Sequence, residues 1–103
     1  YSASKHGVIG LVRVMSEELL EKGITANAIC PGYVRTPIVA RNTELIMQRS
    51  GLSHTEAEAA MSESNRHKKL LEVDEIAAAA MWLCGPGARS VNGQTITIAG
   101  GQV

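Results

Sequence analysis

Apolar side chains recur every three or four residues in the first fifth of the chain, at Val8, Val12, Met15 and Leu19. This spacing places them on one face of a helix and predicts that helix over residues 1–22. Lys22 and Gly23 follow, a cation and then the residue best suited to the left-handed conformation that ends helices. The chain therefore opens with an amphipathic helix.

Two short segments have the composition and flanks of β-strands. Residues 24–30 are mostly apolar and lie between a glycine and Pro31-Gly32, which predicts a strand buried on both faces of a parallel sheet. Residues 94–98 alternate between polar and apolar and predict a second strand. The loop at 33–37 follows the first strand at its carboxyl end, where open α/β sheets bind ligands.

Residues 38–72 are polar with scattered alanines and predict helical pieces. Gly51 ends one piece, and Ser53 with Glu56 has the spacing of a capping box that begins another. A polar helical insertion of this kind resembles a mobile lid over a site. A surface helical hairpin with no function is the alternative.

Residues 73–84 predict a further helix, since Asp74 and Glu75 occupy its first turn and Gly85-Pro86-Gly87 stops it. Its predicted buried face carries Ile76, Ala77, Ala80, Met81 and Cys84. The order helix, strand, lid, helix, strand predicts an α/β fold. Because two strands do not make a stable sheet alone, and no initiator Met precedes Tyr1, we expect the C-terminal part of a longer protein.

Charge and composition narrow the function classes. Ten basic and ten acidic residues give zero net charge, so no long-range field favours nucleic acid or an anionic membrane. The longest apolar stretches, such as 76–83, fall short of the ~20 residues of a membrane span. Cys30 and Cys84 each end an apolar run and are expected to be buried thiols, which fits a cytoplasmic setting.

No metal site is expected. His6, His54 and His67 share no helix-face spacing and none lies near a cysteine.

The candidate chemistry lies in the first five residues, Tyr1-Ser2-Ala3-Ser4-Lys5. Side chains four residues apart on a helix have Cβ atoms about 5–6 Å apart. A free phenol has a pKa of about 10, and an ammonium group that close favours the phenolate. The pair therefore indicates a tyrosine adapted to general acid–base work, Tyr1, tuned by Lys5.

Three segments in order resemble the short-chain dehydrogenase/reductase family. They are the Tyr-x-x-x-Lys signature at residues 1–5, the strand and Pro-Gly turn at 23–32, and the turn, strand and Gly-Gly at 91–101. The resemblance covers essentially all 103 residues. It implies the C-terminal part of a Rossmann-type doubly wound parallel sheet. Residues 1–103 would form the C-terminal portion of a single NAD(P)-binding domain, with 38–72 as a helical substrate lid.

The resemblance also implies roles for particular residues. Tyr1 would be the general acid/base of a hydride transfer between a secondary alcohol and a ketone, and Lys5 would hydrogen-bond the nicotinamide ribose. The cofactor, NAD or NADP, would be contacted by Tyr1, Lys5, Pro31, Gly32, Val34 and Thr36. Tyr33 and Asn42 would contact the substrate. The family's catalytic serine and glycine-rich phosphate loop lie upstream of this tyrosine, so the chain alone would be inactive.

Within the family, the segment from 37 to 73 resembles 3-hydroxybutyrate dehydrogenases, in which a lid amide at the place of Asn42 helps to hold the substrate carboxylate. Residues 84–88 are closer to polyketide ketoreductases, and Gln102 replaces an aromatic residue after the terminal glycines. The expected substrate is a hydroxy acid, with a 3-oxoacyl thioester as the alternative. The resemblance implies a tetramer of the full-length protein. A truncated chain that only associates with intact subunits is the non-catalytic alternative.

Overall fold

The computed structural model describes residues 1–101; Gln102 and Val103 lie outside the described residues, and the expectation placed on Gln102 with them. Within residues 1–101, four α-helices and two β-strands follow one another in the order α1, β1, α2, α3, α4, β2. Their bounds are α1 Ser2–Glu18, β1 Ala28–Pro31, α2 Pro37–Ser50, α3 His54–Ser62, α4 Val73–Cys84 and β2 Thr95–Ile98. Short 3₁₀ turns cover Leu20–Lys22 and Pro86–Ala88.

The two strands pair in parallel to form a two-stranded sheet, which confirms the α/β fold class. The backbone N–H of Ala28 donates to the carbonyl of Gln94 at 2.9 Å. The N–H of Gly32 donates to the carbonyl of Ile98 at 2.8 Å. These bonds set the register and fix where the loop after β1 begins.

The chain divides into two compact units. The first unit contains Tyr1–Cys30 and Ala78–Ile96. The second unit contains Pro31–Ala77 and, among the described residues, 97–101.

The first helix is shorter than predicted. The α-helix ends at Glu18, and a 3₁₀ turn replaces its expected last turn before Gly23, which adopts the predicted left-handed conformation with φ 68°. The apolar face is largely open: Val8 and Met15 are exposed, and Ser16 is the one buried residue of α1. A helix buries its apolar face only against a partner surface, and residues 1–101 do not cover this one.

The first strand begins four residues later than predicted, at Ala28, because side chains bond the backbone before it. The amide of Asn27 donates to the carbonyl of Val91 at 2.9 Å and accepts from the N–H of Gln94 at 3.0 Å. Asn92 Oδ1 accepts from the N–H of Ala26 at 2.9 Å. The expectation of a strand buried on both faces is wrong, since β1 is only half-buried.

The prediction of a buried face on α4 is also wrong for residues 1–101. None of the α4 residues is buried, and Met81 is 72% exposed. Cys84 is exposed rather than buried, whereas Cys30 is half-buried, and both are free thiols.

The segment expected to be a lid carries the core of the second unit. As predicted, it is helical in pieces, with Gly51 ending α2 in a left-handed conformation. Val39 of α2, Met61 of α3 and Leu70 beyond them form a buried apolar cluster, with Ile46 packed against it. This helical pair is therefore held by its own apolar contacts.

The helix start predicted from the spacing of Ser53 and Glu56 is confirmed, with Ser53 as the N-cap of α3, although the Glu56 carboxylate bonds the Ser53 hydroxyl rather than its backbone N–H. Ser53 Oγ accepts from the N–H of Glu56 at 3.2 Å and donates to the Glu56 carboxylate at 2.9 Å.

We expect Ser53→Ala to lower the free energy of unfolding by about 1 kcal/mol, because an N–H at the helix start loses its acceptor. Denaturant unfolding of the protein that carries this chain measures the change. Ser50→Ala, at the exposed last position of α2, is the control and should change it by less than about 0.5 kcal/mol; equal losses would contradict the cap.

Candidate active site

Tyr1 and Lys5 meet at the start of α1. Tyr1 is the N-cap residue, and its carbonyl accepts from the N–H of Lys5 at 3.0 Å and from Ser4 Oγ at 2.7 Å. The Lys5 ammonium lies 5.4 Å from the centroid of the Tyr1 ring, within cation–π range. The Tyr1 side chain is 94% exposed. A phenol with a cation beside it is thus presented at an open surface of the first unit.

The loop after β1, which we call the Pro-Gly loop (residues 31–36), belongs to the second unit. Val34 forms a parallel β-bridge with Leu71. Its two hydrogen bonds run from the Leu71 N–H to the Tyr33 carbonyl at 2.9 Å and from the Arg35 N–H to the Leu71 carbonyl at 2.8 Å. Neither bond uses the backbone groups of Val34 itself. In a parallel bridge those groups point away from the partner strand, so Val34 presents one donor and one acceptor on the other side of the loop.

Thr36 ends this loop and begins α2. Its backbone is extended, Pro37 occupies the first helical position, and its Oγ1 accepts from the N–H of Val39 at 3.4 Å. A hydroxyl that accepts one bond keeps its hydrogen to donate. Thr36 therefore caps the helix and still has a donor for a ligand.

The two residues expected to touch substrate both lie in the second unit. Asn42 is exposed within α2, where its amide is open to solvent. Tyr33 is 41% exposed in the Pro-Gly loop, while its backbone is held by hydrogen bonds.

Arg35 forms ion pairs with Glu58 of α3 at 2.7 Å and with Glu72 at 3.1 Å. The hydrogen bond that Arg35 donates to Glu58, and then the one it donates to Glu72, raise the pKa of Arg35 above its ordinary value. Both ion pairs hold the Arg35 guanidinium against carboxylates of the same unit. These three residues line an open cleft of about 460 Å³ together with Thr55, Ala59, Ser62, Lys68, Lys69 and Leu70.

Sequence reasoning missed Asn65. This residue follows α3 in a polar stretch, Ser62-Glu63-Ser64-Asn65-Arg66, where no periodicity marks it as buried. In the structure Asn65 is nevertheless buried, with 1% exposure, and its amide makes hydrogen bonds with the backbone of Tyr33. Only a long-range contact between residues 32 apart could have revealed it.

The predicted site residues thus fall into two sets. Tyr1 and Lys5 contact each other in the first unit, and Pro31, Gly32, Tyr33, Val34, Thr36 and Asn42 lie in the second. Within residues 1–101, no group of three or more His, Cys, Asp or Glu side chains could hold a metal ion. None of the helices described is long and apolar enough to cross a membrane.

A family model described as enoyl-(acyl carrier protein) reductase matches residues 1–102. The chain belongs to this family, the short-chain dehydrogenases/reductases. The match includes the Tyr1–Lys5 pair, the Pro-Gly loop and the terminal strand in one alignment.

Curated members of the short-chain dehydrogenase/reductase family include two informative relatives. A putative ketoacyl reductase of Streptomyces coelicolor is 38% identical over 101 residues, which are 98% of this chain and 39% of that protein. A D-beta-hydroxybutyrate dehydrogenase of Rhizobium meliloti is 33% identical over 102 residues, 98% of this chain and 40% of that protein. The chain therefore spans about two fifths of the length of these relatives.

A solved structure of actinorhodin polyketide ketoreductase with NADPH, carrying one substitution, superposes with a TM-score of 0.85. It is 38% identical, and the match covers 98% of this chain and 39% of that one. Over the matched part, the fold of that ketoreductase thus agrees with the structure described above.

Proposed function

We propose that the chain is the C-terminal portion of an NAD(P)-dependent oxidoreductase that interconverts a secondary alcohol and a ketone. The observation that carries this proposal is the Lys5 ammonium placed 5.4 Å from the Tyr1 ring at the start of α1. General acid–base catalysis needs a proton donor that can reach the reacting oxygen, and the exposed Tyr1 phenol can be that donor. The Lys5 ammonium beside the ring supplies a positive charge where a phenolate would form.

In this proposal Tyr1 donates a proton to the ketone oxygen during reduction and accepts the alcohol proton during oxidation. Lys5 stabilises the phenolate that remains after donation and offers its remaining N–H groups to ribose hydroxyls. A bound nicotinamide supplies or accepts the hydride. The exposure of the Tyr1 hydroxyl leaves it able to reach a substrate oxygen.

The Pro-Gly loop provides groups that fit a nicotinamide. Among residues 1–101 the N–H of Val34 donates no hydrogen bond and its carbonyl accepts none, and the two groups match the acceptor and donor of a carboxamide. Two residues further along, the Thr36 hydroxyl still has a hydrogen to donate. Pro31 and Gly32, at the start of the loop, carry no polar side chain. The residues present therefore suit the cofactor that the relatives' names and structures suggest.

For the substrate we propose first a small hydroxy acid, as in the D-beta-hydroxybutyrate dehydrogenase relative. Asn42, with its exposed amide on α2, would bind the carboxylate by donating a hydrogen bond. The ion pairs of Arg35 support this choice, since they leave the amide rather than the guanidinium to meet the substrate. A 3-oxoacyl thioester is the second candidate, favoured by the 38% identity to ketoacyl reductases.

The non-catalytic alternative is a chain that only associates with intact subunits. The open apolar faces of α1 and α4, with Val8, Leu11, Met81 and Trp82 exposed, favour association of some kind. The same faces suit a homo-oligomer of the full-length protein, which we propose to be a tetramer.

A substrate and cofactor panel tests the proposal. The protein that carries this chain together with its upstream residues is assayed with NAD and NADP on 3-hydroxybutyrate and on a 3-hydroxyacyl thioester, the alcohol of the 3-oxoacyl thioester, so that both substrates are compared in the same direction. We expect turnover with one cofactor and a preference for the hydroxy acid of at least about tenfold in kcat/KM, equivalent to about 1.4 kcal/mol. Preference for the thioester would replace the first substrate by the second. Absence of nucleotide binding and of turnover would contradict the enzyme proposal and leave the association alternative.

A further inference from the structure

Asn65 is a buried polar side chain that the proposed chemistry does not use. It is 1% exposed and lies in the segment that returns from α3. Its amide makes three hydrogen bonds, all to backbone groups. Oδ1 accepts from the Tyr33 N–H at 3.0 Å, and Nδ2 donates to the Tyr33 carbonyl at 3.0 Å and to the Lys69 carbonyl at 2.7 Å.

The pairing with Tyr33 is reciprocal, because one side chain satisfies both the donor and the acceptor of one residue. This is the pattern by which neighbouring strands exchange hydrogen bonds. The Asn65 side chain thus pairs with Tyr33 of the Pro-Gly loop as a residue of a neighbouring strand would. Its third hydrogen bond, to the Lys69 carbonyl, holds the amide in place. Aspartate could supply the acceptor but not the two donors.

The same amide occupies the space that a side chain at Gly32, next to Tyr33 in sequence, would need. A Cβ built on Gly32 would overlap Oδ1 of Asn65 and would lie 3.1 Å from the Cβ of Ala99. The glycine is therefore required by protein packing on the side of Asn65.

The amide also fixes the orientation of Val34. Tyr33 is held on one side by Asn65, and Tyr33 and Arg35 are both bonded to Leu71. Because hydrogen bonds hold both Tyr33 and Arg35, the two peptide groups on either side of Val34 keep one orientation. Their free N–H and carbonyl are consequently held in one direction before any ligand arrives.

We propose that Asn65 is a positioning residue for the nicotinamide: its buried amide holds the Pro-Gly loop so that the backbone of Val34 is preorganised to bind the carboxamide. This inference rests on the proposed function of the loop. Preorganisation strengthens binding because the ordering is not paid for at the moment of association. Asn65 itself touches neither substrate nor cofactor.

The test compares two nucleotide probes that differ only in the nicotinamide. NADH and ADP-ribose are titrated separately into the wild-type protein and into Asn65→Ala, or NADPH and 2′-phospho-ADP-ribose if the phosphate is preferred. We expect Asn65→Ala to raise the Kd of the reduced dinucleotide at least about tenfold and that of the probe without nicotinamide less than about twofold. General damage to the fold would weaken both.

Thr43→Val is the matched control. Thr43 is equally buried, at 2% exposure, and its hydroxyl donates only within α2, to the Val39 carbonyl at 2.8 Å. Thr43→Val therefore removes a buried hydrogen bond in the same unit and leaves the hydrogen bonds of the Pro-Gly loop in place. We expect both Kd values to stay within about twofold of wild type. If Asn65→Ala does not fold, Asn65→Ser takes its place, because its shorter neutral side chain cannot replace all three hydrogen bonds of the amide.

Hydrogen exchange gives a readout that needs no ligand. The Tyr33 N–H has Asn65 Oδ1 as its acceptor, so its exchange should accelerate at least about tenfold in Asn65→Ala and remain unchanged in Thr43→Val. Unchanged exchange and unchanged NADH affinity in Asn65→Ala would overturn the proposal. A wild-type protein that binds NADH no more tightly than ADP-ribose would instead show that the loop does not contact nicotinamide, and so would overturn the proposed function of the loop before any variant is made.

Discussion

Tyr1→Phe should lower kcat by about 10²–10⁴-fold while the Kd of the dinucleotide stays within about twofold. The substitution removes one oxygen and keeps the ring beside the Lys5 ammonium. General acid–base catalysis by a placed side chain contributes an acceleration of this size. Binding should survive, because the ring and the Lys5 ammonium remain. Steady-state kinetics with the panel described above, together with nucleotide titration, measures both quantities.

Ser4→Ala is the control for damage at the start of α1. Ser4 Oγ donates to the Tyr1 carbonyl at 2.7 Å, so its removal disturbs the same turn without changing the phenol. We expect kcat within about threefold of wild type, since one exposed hydrogen bond is worth about 1 kcal/mol or less. Near-wild-type turnover by Tyr1→Phe would contradict the proton-transfer role. An equal loss in Ser4→Ala would assign the effect to the helix start.

The features that the sequence predicted correctly depend on short-range spacing. Tyr1 and Lys5 are four residues apart, and a helix brings such a pair together whatever surrounds it. Ser53 and Glu56 are three apart and form the predicted cap for the same reason. The loop after β1 was located because Pro31 and Gly32 interrupt an apolar run. Each of these depends on local backbone geometry alone.

The features that the sequence did not predict depend on contacts between distant residues. The start of β1 moved because Asn27 and Asn92 bond backbone groups more than 60 residues away. Asn65 was overlooked because polar residues are mostly exposed, and only its bonds to Tyr33 explain why it is buried. The predicted buried face of α4, including Met81, is open because a periodic pattern shows which residues can be buried, not whether a partner covers them.

Gly32→Ala should destabilise the protein by about 2–4 kcal/mol. The new methyl group would overlap Asn65 Oδ1, so the amide must move and its buried hydrogen bonds with Tyr33 weaken or break. Overpacking costs about 1–3 kcal/mol, and an unsatisfied buried polar group costs a similar amount. Denaturant unfolding measures the loss. Gly10→Ala is the control. Among residues 1–101, no atom outside the backbone of α1 itself lies within 4 Å of its built Cβ, and in the interior of α1 alanine should stabilise by up to about 1 kcal/mol.

The double variant Gly32→Ala/Asn65→Ala separates this explanation from a general intolerance of the loop. If the methyl group is costly because it displaces the Asn65 amide, shortening Asn65 removes most of the clash. The contact with Ala99 at 3.1 Å remains and keeps part of the cost. The two losses should therefore not add. The free energy of unfolding lost in the double variant should be smaller than the sum of the losses in the two single variants by about 1–2 kcal/mol, as is common for contacting residues. Additive losses would mean that the glycine is needed for a reason independent of Asn65. A non-additive result would show that Gly32 and Asn65 form one packed unit, in which the absence of one side chain leaves room for the other to hold the loop.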